Sequence, residues 1–338
     1  MSMWADIMNN ETFGGYLPLE LPTPVAHYYP AAKCYMSART ALCHFLTTFR
    51  PERMWLPHLI CHSVIDAVRL ANVEIVWYHL DDKFFAILPP ELNEKEYIFY
   101  VDYLGQGVLQ KNELLRRYPK GQIIFDNSQA FYAPPLPVLA TLYSPRKFFG
   151  LPDGGLLITS LPLPPPELHD SASLNRVSHL LLQHNFDIRE GYSAFQQAEL
   201  TLENTPVSGM SQLSERLLLS IDYFSIKQKR ERNFKLLHER LKGINSFPLN
   251  LDSPQGPLCY PLYFPARSLH SVLIKNGVFV PTYWKEVLQH VPAESVEAKF
   301  VKYMVAIPCD QRYSQGDIER LSKVIMKVVT DDSIEINK

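Results

Sequence analysis

The feature that most constrains this chain is the alternation, through its first half, of short apolar runs with segments of helical spacing. Ala38–Phe49 (ARTALCHFLTTF) has helical spacing behind a serine-containing turn, and Met54–Leu56 is a short strand ahead of Pro57. Ser63–Ala71 is a second helix, and Glu74–Tyr78 (EIVWY) is the strand after it. Tyr97–Tyr103 and Gln122–Phe125 are further strands separated by the helix Asn112–Tyr118, and Leu156–Thr159 is a strand entered from Gly154-Gly155. Strands alternating with helices of this length predict an α/β fold, a mostly parallel central sheet flanked by helices. The runs are too apolar for one-sided sheets, which suits strands covered on both faces.

The pattern breaks at Leu161–Glu167 (LPLPPPE), read as a stiff connecting loop. Beyond it the spacing predicts a long helical region from Met210 to about Leu241. Strands at Tyr260–Phe264, Val278–Val280 and Tyr303–Ile307 follow, with a helix over Ser268–Asn276 and a final one from Asp317. In a chain of 338 residues this predicts a large domain over 1–209. Residues 210–338 then form a long connecting helix and a small C-terminal α+β domain.

Composition narrows the partners. The net charge of −2 leaves no basic excess for nucleic acid, and the run Lys227–Arg232 (KQKRER) reads as a solvated helix face. Five cysteines, Cys34, Cys43, Cys61, Cys259 and Cys309, form no CxxC pair, so a disulfide framework is not expected. The first residues lack the basic and apolar regions of a signal peptide, and no run approaches the ~18 apolar residues of a membrane span. A cytoplasmic protein with no membrane or nucleic-acid partner is expected. His58, Cys61 and His62 have an i, i+3, i+4 spacing that could serve zinc, but no fourth ligand accompanies them and no metal is expected.

Three segments carry chemistry together that none carries alone. In MSARTAL, Ser37, Ala38 and Arg39 open a helix, whose free backbone N–H groups form an anion site that Arg39 could reinforce. In FDNSQA, Asp126 ends a strand, at the sheet edge where open α/β folds bind ligands; a helix cap is the plain alternative. In YSPRKFFGLPDGG, Lys147 lies between a Ser-Pro turn and a glycine pair. Partial desolvation there would lower its pKa and favour imine formation. An anion-binding helix start, a strand-end aspartate and a lysine on a glycine turn, in that order, are the working parts of a pyridoxal-phosphate site.

These segments resemble the DegT/DnrJ/StrS sugar aminotransferases, members of the fold-type I pyridoxal-phosphate superfamily. MSARTAL is similar to the family's Ser-Gly-Thr/Arg-x-Ala-Leu phosphate loop, with Ala38 in place of glycine. WLPHLICHSVIDA resembles its Pro-x-aromatic segment, DYLGQG its His-Leu-Tyr-Gly-Gln turn, and FDNSQAF its Glu-Asp-x-x-Gln-Ala stretch. YSPRKFFGLPDGG resembles the Ser-x-x-Lys…Gly-Glu/Asp-Gly-Gly stretch, the most specific of these matches. The resemblance implies cofactor contacts from Ser37, Ala38 and Arg39. It places Asp126 on the pyridine nitrogen, Gln129 near the ring hydroxyl, Ser144 on the phosphate and Lys147 as the Schiff-base lysine. Arg312 is a candidate for a substrate carboxylate, or a loop arginine paired with Asp310.

The implied activity is transfer of an amino group from an amino acid, usually glutamate, to a keto sugar, nucleotide-linked, in cell-surface polysaccharide or secondary-metabolite biosynthesis. A homodimer is the implied assembly. Two departures stand out. Leu59, Ile60 and Cys61 occupy the place of the ring-stacking aromatic, and the Asn-Tyr-Arg-Met stretch is not recognisable before Met210. A pyridoxal-phosphate protein of another reaction type, or a non-catalytic relative, is the alternative reading.

Overall fold

The computed structural model describes residues 15–17, 19–185, 188–203, 205–251 and 255–331. The proposed signal-free start of the chain lies outside the described residues. Its main element is a sheet of ten strands in the order β4-β3-β2-β5-β6-β7-β8-β1-β10-β9. These are β1 (Lys33–Tyr35), β2 (Arg53–Pro57), β3 (Glu74–Leu80), β4 (Ala86–Ile87) and β5 (Glu96–Val101). They continue with β6 (Ile123–Asp126), β7 (Ala140–Tyr143), β8 (Gly155–Ile158), β9 (Leu168–His169) and β10 (Ser208–Gly209). From β3 to β7 every pairing is parallel. Strand β8 runs antiparallel to both β7 and β1.

Helices α1 (Ala38–Phe49), α2 (His62–Leu70) and α3 (Val108–Arg117) are the crossovers that a parallel sheet requires. Helix α1 keeps the predicted bounds because its ends are chemically marked. Ser37 closes a capping box with Thr40, and Arg50 leaves the last turn in a left-handed conformation. Strand β5 stops at Val101, two residues short of the expectation. Leu104 and Gly105 both take positive φ there (54° and 73°), turning the chain out of the sheet.

Two further helices, α4 (Ser178–Asn185) and α5 (Ile188–Leu200), pack as a hairpin after the proline-rich loop, a stretch left without prediction. The single long helix expected over 210–241 is two: α6 (Gln212–Leu218) and α7 (Tyr223–Leu241). The break is local chemistry, since the Asp222 side chain accepts from the Ser225 backbone N–H and starts α7 afresh. Val278–Val280 forms no strand; it follows α8 (His270–Lys275), after which Gly277 turns the chain at φ 79°. A two-stranded antiparallel ribbon, β11 (Cys259–Tyr263) and β12 (Met304–Pro308), completes the fold with α9 (Val296–Tyr303) and α10 (Gln315–Thr330). Phe234, Leu237, Tyr260, Ile307 and Ile325 belong to a second core here, formed by α7, the ribbon, α8 and α10.

The run Lys227–Arg232 is not wholly solvated. Lys229 and Arg232 are exposed, whereas Arg230 is buried.

Candidate active site

Parallel strands β5, β6 and β7 end at one edge of the sheet, and the ladder itself sets the spacing of what lies there. Asp126, the last residue of β6, pairs with Leu142 of β7. The Asp102 N–H donates to the Asp126 carbonyl (2.9 Å), and the Asn127 N–H donates to the Leu142 carbonyl (2.8 Å). Asp126 is thereby fixed between Asp102, just past β5, and Ser144, just past β7. This is the carboxyl edge at which open α/β sheets bind ligands.

The antiparallel strand β8 brings the glycine turn to the same place. Gly155 pairs with Tyr35 of β1, and the Gly154 N–H donates to the Met36 carbonyl at 2.6 Å. A Cβ on Gly155 would stand 2.1 Å from the Ser37 carbonyl carbon and 2.2 Å from the Ala38 nitrogen. Only glycine lets the start of α1 rest on this turn. The helix start, the strand-end aspartate and the lysine turn, spread over residues 37–147, are assembled by strand pairing.

Asp126 is buried, and its Oδ1 accepts from the Ser128 N–H (2.9 Å). Burial pushes its carboxyl above the usual carboxylate range, while the charge of Lys147 and the bonds from Ser128 pull it back. No helix follows Asp126; residues 127–130 form a turn, so it does not cap a helix. Lys147 closes a single 3₁₀ turn, Pro145–Lys147, its N–H donating to the Ser144 carbonyl (3.1 Å). The residue is exposed on the single chain, where the glycine turn predicts partial desolvation.

Gln129 accepts from the Leu104 N–H through Oε1 (3.0 Å), and its buried Nε2 has no partner among the described residues. Ser37 Oγ accepts from the Thr40 N–H, leaving the N–H groups of Ala38 and Arg39 at the open first turn of α1. The Arg39 guanidinium donates to the Leu202 carbonyl (3.1 Å). Ser144 is buried at the strand end. Arg312 makes a two-pronged pair with Asp310, through Nε and Nη2 at 2.8 Å each.

In the segment after β2, the side chains of His58, Cys61 and His62 each have other partners. His58 stacks between Trp77 and His79, Cys61 Sγ lies 3.0 Å from Ser63 Oγ, and His62 pairs with Asp66. Among the described residues no group of three His, Cys, Asp or Glu side chains could hold a metal ion.

Sequence reasoning missed two polar groups. Asp102 and Lys111 form a buried ion pair, with Asp102 also accepting from the Gly107 N–H (2.8 Å). The signal available was an aspartate in DYLGQG with a lysine nine residues on in a helix. Asp153, fully buried, accepts from the backbone and hydroxyl of Ser211 and from the Ser214 hydroxyl. Its cue was the acidic position of the Asp-Gly-Gly run that ends at Gly155.

The site fits pyridoxal phosphate on these observations. A buried carboxyl raised by burial is suited to a cationic ring N–H, and the orphaned Gln129 amide nitrogen to a ring oxygen. A helix start lying on a glycine without room for a Cβ suits a phosphate.

No family model matches the sequence, and no curated protein does. Solved structures do. PseC of Helicobacter pylori, an aminotransferase involved in the biosynthesis of pseudoaminic acid, matches at TM-score 0.58 and 15% identity, over 88% of this chain and 86% of its own. Spr1654 of Streptococcus pneumoniae in its PLP-form matches at TM-score 0.61 and 17% identity, over 88% of each chain. A DegT DnrJ EryC1 StrS aminotransferase of Brucella abortus matches at TM-score 0.56 and 16% identity, over 87% and 85%. The chain has the fold of these aminotransferases, the fold-type I architecture of a mostly parallel sheet flanked by helices with a small antiparallel ribbon.

Proposed function

We propose that the protein is a pyridoxal-phosphate-dependent aminotransferase that moves an amino group from an amino acid, with glutamate the donor, to a nucleotide-linked keto sugar. The observation that carries this reading is Asp126, buried at the end of β6 with the charge of Lys147 acting on its carboxyl. When bound, the cofactor supplies the electron sink that this chemistry needs. Ser144 and the open N–H groups of α1 would hold its phosphate, Gln129 its ring hydroxyl, and Asp126 a protonated ring nitrogen. Lys147 would anchor the cofactor and then take the proton from the donor's Cα. Similarity to structures described as sugar aminotransferases supports the sugar acceptor, and a homodimer is the proposed assembly.

Incubation with pyridoxal phosphate, borohydride reduction and peptide mapping test the site. The modified lysine is expected to be Lys147, and Lys147→Ala is expected to trap none. Cofactor trapped on another lysine would overturn the assignment. A yellow protein that bleaches on addition of glutamate, and recovers with a keto-sugar nucleotide, would support the reaction.

A further inference from the structure

Phe148 directly follows Lys147, and its carbonyl accepts two hydrogen bonds, both from the C-terminal part of the chain. Arg230 Nη2, on α7, donates at 2.9 Å, and Gln311 Nε2, in the loop after β12, donates at 2.9 Å. The other prong of Arg230, Nη1, donates to the carbonyls of Pro257 (3.0 Å) and Leu258 (3.3 Å). Its guanidinium also lies over the Phe148 ring, 4.9 Å from the centroid. One turn further along α7, Asn233 Nδ2 donates to the carbonyls of Asp310 (3.1 Å) and Tyr313 (3.0 Å). One helix face therefore holds both the Lys147 turn and the loop that presents the second donor to it.

Arg230 is 2% exposed, and its hydrogen-bond partners are carbonyl oxygens, not a carboxylate. Burying a guanidinium is a poor route to stability when an apolar side chain of similar volume would pack there. A rigid planar fork does something an apolar side chain cannot, which is to fix the relative position of two backbone segments. The segments fixed here are the peptide after Lys147 and the entry to β11.

We propose that Arg230, seconded by Gln311, is a positioning residue for Lys147, tying the lysine's turn to the C-terminal unit so that α7 sets where the amine stands. This rests on the reading of Lys147 as the cofactor lysine. The variants are Arg230→Met, Arg230→Lys and Gln311→Leu, in the full chain. The first readouts are the rate of adduct formation with pyridoxal phosphate and the pH midpoint of its visible band. A third needs no cofactor: competitive acetylation of the free chain, reading Lys147 against the other lysines by mass spectrometry.

Arg230→Met and Gln311→Leu are expected to slow adduct formation about tenfold and to move the pH midpoint. They should also change the relative acetylation rate of Lys147 at least threefold. Arg230→Lys, which keeps the charge without the fork, is expected to recover only part of this. Ile325→Val, a core change in α10, is expected to lower the melting temperature and leave all three readouts alone. If Arg230→Met does not fold, Gln311→Leu decides, since it leaves Arg230 in place. Folded variants with wild-type rates, midpoint and acetylation would overturn the inference while leaving the proposed function intact. A wild-type chain that forms no adduct on Lys147 would overturn both.

Discussion

In the proposed reading, Asp126 is costly to the fold and useful to the site. Its carboxyl has an ordinary value of 3.8, and burial raises it in the folded chain. A carboxyl raised on folding binds its proton more tightly in the native state, so stability falls as pH climbs through the window between the unfolded and folded values. Asp126→Asn removes that penalty. In the cofactor-free chain the variant should melt at or above the wild-type temperature at pH 7, with the gap closing towards pH 4. Catalysis should move the other way. If the ring nitrogen loses a thousandfold in proton affinity, about 4 kcal/mol is lost, and half-transamination should slow by orders of magnitude. A less stable variant with normal turnover would assign Asp126 to the fold alone. This residue was legible because strand ends are visible in a hydrophobic pattern. Arg230 was not: KQKRER reads as solvent-facing, and its carbonyl partners at 148, 257 and 258 are far from it in sequence.

At the scale of elements, legibility follows where the determining interactions are local. Helix α1 is bounded by its own Ser37–Thr40 capping box and by Arg50, all within the helix and its neighbours, and was read residue for residue. Val278–Val280 has strand composition but pairs with no strand among the described residues, because pairing is decided by distant partners. The two-residue strands β9 and β10 are likewise defined by each other and by Tyr35 rather than by pattern. The joint between β8 and α1 gives the sharpest element-level test. Gly155→Ala places a methyl against the backbone of Ser37 and Ala38, atoms that no rotamer change can move. Overpacking of this kind costs about 1–3 kcal/mol or more. The variant should melt lower and, by displacing the start of α1 from the glycine turn, bind pyridoxal phosphate more weakly. Thermal melts and a cofactor titration would check both, and unchanged values would mean that the two segments part without consequence.

For the whole molecule, the homodimer proposed above has a surface that suits it. Ile188, Tyr192 and Phe195 lie on one face of α5 and are all exposed, Tyr192 to 59%. Closed two-fold dimers are the commonest symmetric assembly, and apolar helix faces are a usual means of forming them. Sedimentation at micromolar concentration should give about twice the 38.9 kDa of the chain, and Tyr192→Glu should weaken association. A monomer that turns over substrate would refute the assembly. No helix among the described residues is long and apolar enough to cross a membrane.

The register of β5, β6 and β7 has a consequence for how such a chain can change over generations. Asp126 and Ser144 keep their separation because the rungs of one ladder measure it, while the intervening stretch 127–139 lies outside those strands. Lengthening that stretch leaves the rungs intact, whereas losing one residue within β6 swaps the face on which every later side chain of the strand emerges. The ladder behaves as a ruler whose marks survive the rewriting of nearly everything between them. A separation held in this way can stay in place while the sequence around it drifts.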